Sequence, residues 1–254
     1  MNLGVGLARQ GKKVLLVDAD PQGSLTVSMG IQCPDELEIT LADLMESVMV
    51  GAPSHPPDYG IIKNLEGVDL MPANINLAGL ESRLMNAMSR EYVMRDWLDV
   101  VKRTGQYDYV LIDCMPSLNV LTIGALASAN SVIVPCQANY LSTKGLKQLV
   151  TSIIRVKHRI NPRLKVDGIL LTMVDRRTKN ATTIITALRE INSGLHVMNT
   201  EIPFSVRVAE SSNEGRSIFS HDSKGKVAAA YDALTKEVMH FERQPDRPRT
   251  ERSR

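Results

Sequence analysis

Cysteine is scarce in this chain. Cys33, Cys114 and Cys136 are the only three among 254 residues, and their spacing fits no metal-binding pattern. An odd number in a chain of this length argues for reduced thiols in a cytoplasm rather than for a disulfide scaffold. No His or Asn motif accompanies Cys114, so it reads as a packed small side chain and not as a nucleophile. No apolar run reaches the roughly 20 residues that a membrane-crossing helix needs, and no signal peptide is evident. Aromatic residues make up only 4% of the chain, yet 43% of it is hydrophobic, enough for one substantial α/β core. Net charge is also small, a formal +2, but the balance conceals two blocks. Between Asp18 and Glu46 stand seven acids and no Lys or Arg; between Lys147 and Lys165 stand six basic residues and no acid. The first block suits a metal ion and the second a polyanion.

The most informative stretch present is VLLVDADPQGS at 14–24. Four consecutive apolar residues, Val14 to Val17, predict an interior strand covered on both faces, as in a parallel sheet. Pro21 and Gly23 end it. In open α/β sheets ligands bind beyond the carboxyl ends of strands, where Asp18 and Asp20 fall. Two acids there call for a cation or donors, and Mg²⁺ carrying phosphate oxygens meets that need with one or two protein carboxylates.

The rest of the chain alternates strands and helices. Residues 1–10 read as the last turns of a helix with Gly11 behind them, with no N-cap or strand in front, so the chain reads as lacking its beginning. Gly4 and Gly6 are not a dinucleotide fingerprint, because a strand follows this helix and none precedes it. Short helices are predicted at 25–30 and 40–49, the latter with a Thr40/Asp43 capping box. A surface loop spans 51–60, a strand 68–71, and helices 75–88 and 90–103, where Trp97 packs. YDYVLIDCMPSL at 107–118 repeats the opening logic: an apolar strand delivers Asp113 to its end and a Pro turn follows. Helix 118–129, strand 131–135, helix 142–160, strand 165–174, helix 178–192 and strand 196–202 continue the rhythm. The last helix, 225–242, carries Val227, Tyr231, Leu234, Val238 and Phe241 as a core stripe. The expectation is one three-layer α/β domain over 1–243, a mostly parallel twisted sheet with helices on both faces, and a disordered basic tail over 244–254.

Five segments in order, VLLVDADPQGS, YDYVLIDCMPSL, SVIVPCQANYLSTKGL, GILLTMVDRRT and EIPFSVRVAESSNEGRSI, resemble the ParA/Soj family of partition ATPases, in the deviant-Walker P-loop group that also contains MinD. The resemblance runs from about residue 1 to 240. It implies ATP and Mg²⁺ as ligands. It implies that Asp20 positions the attacking water, that Asp18 stands close to Mg²⁺, and that Asp113 is the Walker B carboxylate holding it. It places the adenine at Pro203, with Asp175 and Arg176 nearby. The family's Gly-rich lysine loop would precede Met1, its strand central in the sheet; no G-x-x-x-x-G-K-[ST] occurs in these residues, so the P-loop and first strand are expected to be missing.

The same resemblance implies a homodimer, non-specific DNA binding, a centromere-binding ParB-like partner and a nucleoid-associated cytoplasmic location. Residues that would meet DNA phosphates are Arg155, Lys157, Arg159, Arg163, Lys165, Arg177, Lys179, Arg189 and Arg207. Two alternatives stand beside it. One is a MinD-like membrane-associated ATPase, disfavoured because RQPDRPRTERSR has no apolar face. The other is a non-catalytic scaffold that dimerises or binds DNA.

Overall fold

The computed structural model describes residues 1–52, 55–137, 140–177, 183, 185, 186, 188, 189 and 196–243. Seven strands are found among them: β1 (Val14–Ala19), β2 (Ile62–Leu65), β3 (Val68–Met71), β4 (Tyr109–Cys114), β5 (Ser131–Gln137), β6 (Lys165–Val174) and β7 (Val197–Pro203). The helices are α1 (Asn2–Arg9), α2 (Ser24–Ser28), α3 (Leu41–Met49), α4 (Asn76–Leu84), α5 (Val93–Lys102), α6 (Val120–Ser128), α7 (Tyr140–Arg159), α8 (Val206–Asn213), α9 (Ile218–His221) and α10 (Lys226–Arg243).

The mostly parallel α/β architecture expected from the sequence is present, with its strands arranged in two sheets. One sheet has the order β2-β3-β1-β4 and the other β5-β6-β7, with only β2 antiparallel to its neighbour. β1 is buried along its whole length, as its apolar run dictates. Its alternate residues serve two layers. Leu15 and Val17 join α3, α4, α5 and the start of α6 in one cluster, where Trp97 is buried. Val14 and Leu16 join α1 and α10 in another, which also takes Ile133, Leu170 and Met198 from the second sheet. That shared cluster ties the two sheets together across a boundary without hydrogen bonds between strands. A third cluster packs α7 on β5 and β6. Each fully buried Leu or Val here contributes about 1.5–3 kcal/mol.

Close packing explains the two glycines of α1. A Cβ on Gly4 would lie 2.5 Å from Leu16 Cδ2, and one on Gly6 would lie 2.2 Å from Thr235 Oγ1. They let the helix seat on β1 and α10. The Thr40/Asp43 capping box forms as expected. Helices 75–88 and 90–103 prove shorter, as α4 and α5, and β2, α8 and α9 are additional. Most of helix 178–192, with Lys179, and the tail 244–254 lie outside the described residues.

Candidate functional site

Register builds the site. β1 and β4 are parallel with Asp18 opposite Asp113 and Ala19 opposite Cys114, so both acids arrive at one sheet end. α1 leads back into β1 and brings Met1 to that end, where Asp113 and Asp18 both act on the Met1 amine. The helix's amino-terminal N–H groups and dipole make this a favourable place for an anion.

The three carboxylates are not equivalent. Asp18 has no exposed surface. Its Oδ2 accepts from Thr26 N and Thr26 Oγ1, both at 2.8 Å, and its Oδ1 from Asp20 N at 3.2 Å. Thr26 Oγ1 in turn accepts from Ala73 N at 3.1 Å, which fastens the turn to the end of β3. Burial pushes the Asp18 carboxyl up to about 6, against the lowering effect of the Thr26 hydrogen bonds. Asp18 therefore faces inward and organises the turn rather than presenting open oxygens.

Asp20 is half-buried at that turn. Its Oδ1 accepts from Gln22 N at 2.9 Å, while Gly23 N donates to its carbonyl at 2.9 Å. Gly23 has φ +61, a left-handed conformation in which glycine carries little penalty, and a Cβ there would sit 3.0 Å from the Ala73 carbonyl. Asp113 is exposed at its strand end. Partial loss of hydration still raises its pKa; the Met1 amine opposes that and Asp20 adds to it. Burial, reinforced by these three acids, pushes the Cys114 thiol up to about 12, so it stays protonated and is no nucleophile.

These groups fit Mg²⁺ with a phosphate ligand. Among the described residues no cluster of three His, Cys, Asp or Glu side chains forms a metal cage. Magnesium needs none, since it usually takes one or two carboxylates and completes its shell with water and phosphate. Asp113 and Asp20 offer hard oxygens beside a helix amino end.

The predicted base-binding residues cluster at the ends of β6 and β7. Val174 pairs with Pro203, and Phe204 N donates to Val174 O at 3.1 Å. Asp175 follows and binds Arg177 through 2.8 and 2.7 Å contacts, which hold its carboxyl down at about 2. Arg176 turns away to Glu201, which it shares with Arg189. Sequence reading missed Thr26, Glu201 and an apolar rim formed by Met173, Phe204 and Val206, all three more than half exposed. Exposed apolar residues in a strand-end loop carry no pattern to distinguish them from core.

The predicted cations do not form one patch. Arg155, Lys157 and Arg159 lie in the last turns of α7, with Arg163 and Lys165 leading into β6. β6 then runs ten residues, about 30 Å, before Arg176 and Arg177. Arg207, on α8, pairs with Glu210 near the second group. Lys179 lies outside the described residues.

The AAA domain family matches residues 1–166. A chromosome partitioning protein ParA from Caulobacter vibrioides is 40% identical over 243 residues, 96% of this chain and 88% of that protein. The sporulation initiation inhibitor protein Soj of Bacillus subtilis is 38% identical over 240 residues, 94% of this chain and 90% of Soj. Among solved structures, cobyrinic acid a,c-diamide synthase from Mycobacterium smegmatis with bound ATP analog and magnesium superposes with a TM-score of 0.79 at 34% identity, covering 95% of this chain and 88% of that one. By length of match and by level of identity, this chain belongs to the ParA/Soj family of partition ATPases.

Proposed function

We propose that this protein binds Mg²⁺ and ATP at the carboxyl ends of β1 and β4 and uses hydrolysis to cycle on and off DNA during chromosome or plasmid partition. The observation that carries the reading is the pairing of Asp18 with Asp113 at the amino end of α1. Bound Mg²⁺ would neutralise phosphate charge in the transition state. Asp113, the most open of the acids, would hold it together with phosphate oxygens and water. Asp20 spends Oδ1 on Gln22 N, which leaves Oδ2 to accept a hydrogen bond from the attacking water and orient it. Asp18 keeps that turn in place through Thr26 and stands close behind the metal. Backbone N–H groups at the start of α1 would face phosphate oxygens. Pro203 and Asp175 would flank the base, while Arg176, expected beside them, is held instead by Glu201.

Homodimerisation, non-specific contact with DNA through the basic residues, and stimulation by a centromere-binding ParB-like protein complete the reading, with the protein in the cytoplasm on the nucleoid. The names of the relatives support it, as does the segregation of acids and cations into different parts of the chain. Among the described residues no helix is long and apolar enough to cross a membrane. The test is ATP hydrolysis by the full-length protein with and without Mg²⁺, alongside Asp20→Ala. Magnesium-dependent turnover that Asp20→Ala abolishes is expected. DNA binding that persists with no nucleotide response would overturn the ATPase reading and favour a scaffold.

A further inference from the structure

Beside the ends of β6 and β7 lies an open cavity of about 520 Å³ lined by Arg176, Ile185, Thr186, Arg189, Asn199 and Glu201. Glu201 sits on β7, the outer strand of its sheet, and its side chain is only 12% exposed. Its Oε2 accepts from Arg176 Nε at 3.1 Å and Nη2 at 2.7 Å, and its Oε1 from Arg189 Nη2 at 3.1 Å. One anchored carboxylate thus orients two guanidinium groups that are themselves 68% and 39% exposed. A guanidinium has five N–H donors, so each arginine keeps donors beyond those given to Glu201. Thr186 and Asn199, both exposed, add neutral hydrogen-bonding groups to the wall. A carboxylate between two arginines occupies the position that a phosphate oxygen pair would take, since both anions suit the same fork of donors. The cavity is open and includes residues of the outer strand of its sheet, within reach of a polyanion.

We propose that this groove binds the phosphate backbone of DNA and that Glu201 is its internal competitor, holding Arg176 and Arg189 until a backbone phosphate displaces it. The proposal rests on the DNA-binding reading above and adds a regulated site to it. Arg176 on this view belongs with the DNA surface rather than with the nucleotide base.

The experiment is fluorescence anisotropy of a short labelled duplex of arbitrary sequence with the full-length protein, saturated with Mg²⁺ and ATP and also without nucleotide, across a salt series. Glu201→Gln should tighten binding several-fold and steepen the salt dependence by about one to two in the log–log slope, because one or two more phosphates are neutralised. Adding Arg189→Ala to Glu201→Gln should abolish the gain. Inorganic phosphate should displace the duplex no better than sulfate at matched ionic strength, which separates a backbone site from a free-anion site. Unchanged or weaker binding by Glu201→Gln would mean that the glutamate only orients the arginines, and would overturn the proposal. So would equal tightening by Asp99→Asn, a distant exposed acid on α5, or selective displacement by phosphate. Binding that depends on Arg155 and Arg159 but ignores Arg176, Arg189 and Glu201 would overturn this proposal alone. No DNA binding by the wild type would overturn the DNA reading with it.

Discussion

Asp18 and Asp175 are the same residue type near the carboxyl ends of parallel strands, one in each sheet, yet their carboxyls move in opposite directions. Asp18 is fully buried with no side-chain cation on it, and rises to about 6. Asp175 stands near the surface in the grip of Arg177 and falls to about 2. Burial dominates the first and a partner dominates the second. The contrast extends to the sheets that carry them. The four-stranded sheet presents acids at its end, held by backbone and hydroxyl donors, whereas the three-stranded sheet presents arginines matched to surface carboxylates. In the first the donors are backbone N–H groups and a buried hydroxyl; in the second they are exposed arginines, which on the proposal above exchange an internal anion for an external one.

Substitutions should separate these regions sharply. The largest effect expected is on turnover: Asp20→Ala should reduce ATP hydrolysis by about 100-fold or more while leaving the urea midpoint nearly unchanged, because that side chain holds only the local Gln22 amide. Next comes Thr26→Val, which removes a donor to Asp18 and the acceptor for the buried Ala73 N–H. The buried Ala73 N–H then lacks a partner and Asp18 Oδ2 keeps only the Thr26 N–H, so equilibrium denaturation should register a loss of about 1–3 kcal/mol, largely restored by Thr26→Ser.

The pH response should be comparable and of defined sign. The native pKa of Asp18, about 6, lies above the about 3.9 of an unfolded Asp. Between those values the native state holds more protons, so the Asp18 contribution is most favourable below about pH 4 and declines by about 2–3 kcal/mol as pH rises through about 6. Denaturation of wild type against Asp18→Asn across that range isolates it: the stability difference should change between about pH 4 and 6 and level off above. Asp175 has the opposite sign, its contribution being present above its unfolded pKa and lost as pH falls toward about 2. Smallest of all should be Arg177→Ala. Its exposed pair with Asp175 is the kind that contributes little, and no shift in melting temperature is expected.

Much of the first region was legible in the sequence. A continuous apolar run ending in acids and a Pro turn dictates a buried strand with carboxylates at its tip, and it occurs twice. Which acid faces inward was not legible, because that depends on Thr26, eight residues downstream, folding back onto Asp18. The second region was harder. Arg163, Lys165, Arg176 and Arg177 look continuous in sequence, but β6 carries the chain about 30 Å between the two pairs. Glu201 passed unnoticed because an acid in an alternating strand reads as an ordinary outward residue. β2 was missed because it has only four residues, with Asn64 at φ +58 breaking the strand pattern. The division of the sheet depends on which strands pair, and local periodicity does not encode that.

The most direct test is titration calorimetry of ATP into the full-length protein, with and without Mg²⁺, for wild type and Asp113→Asn. If the end of β1 and β4 is a magnesium–nucleotide site, wild-type binding will require Mg²⁺, and Asp113→Asn will weaken it about tenfold or more without unfolding the protein. Binding that is equal without Mg²⁺, or indifferent to Asp113→Asn, would contradict the account.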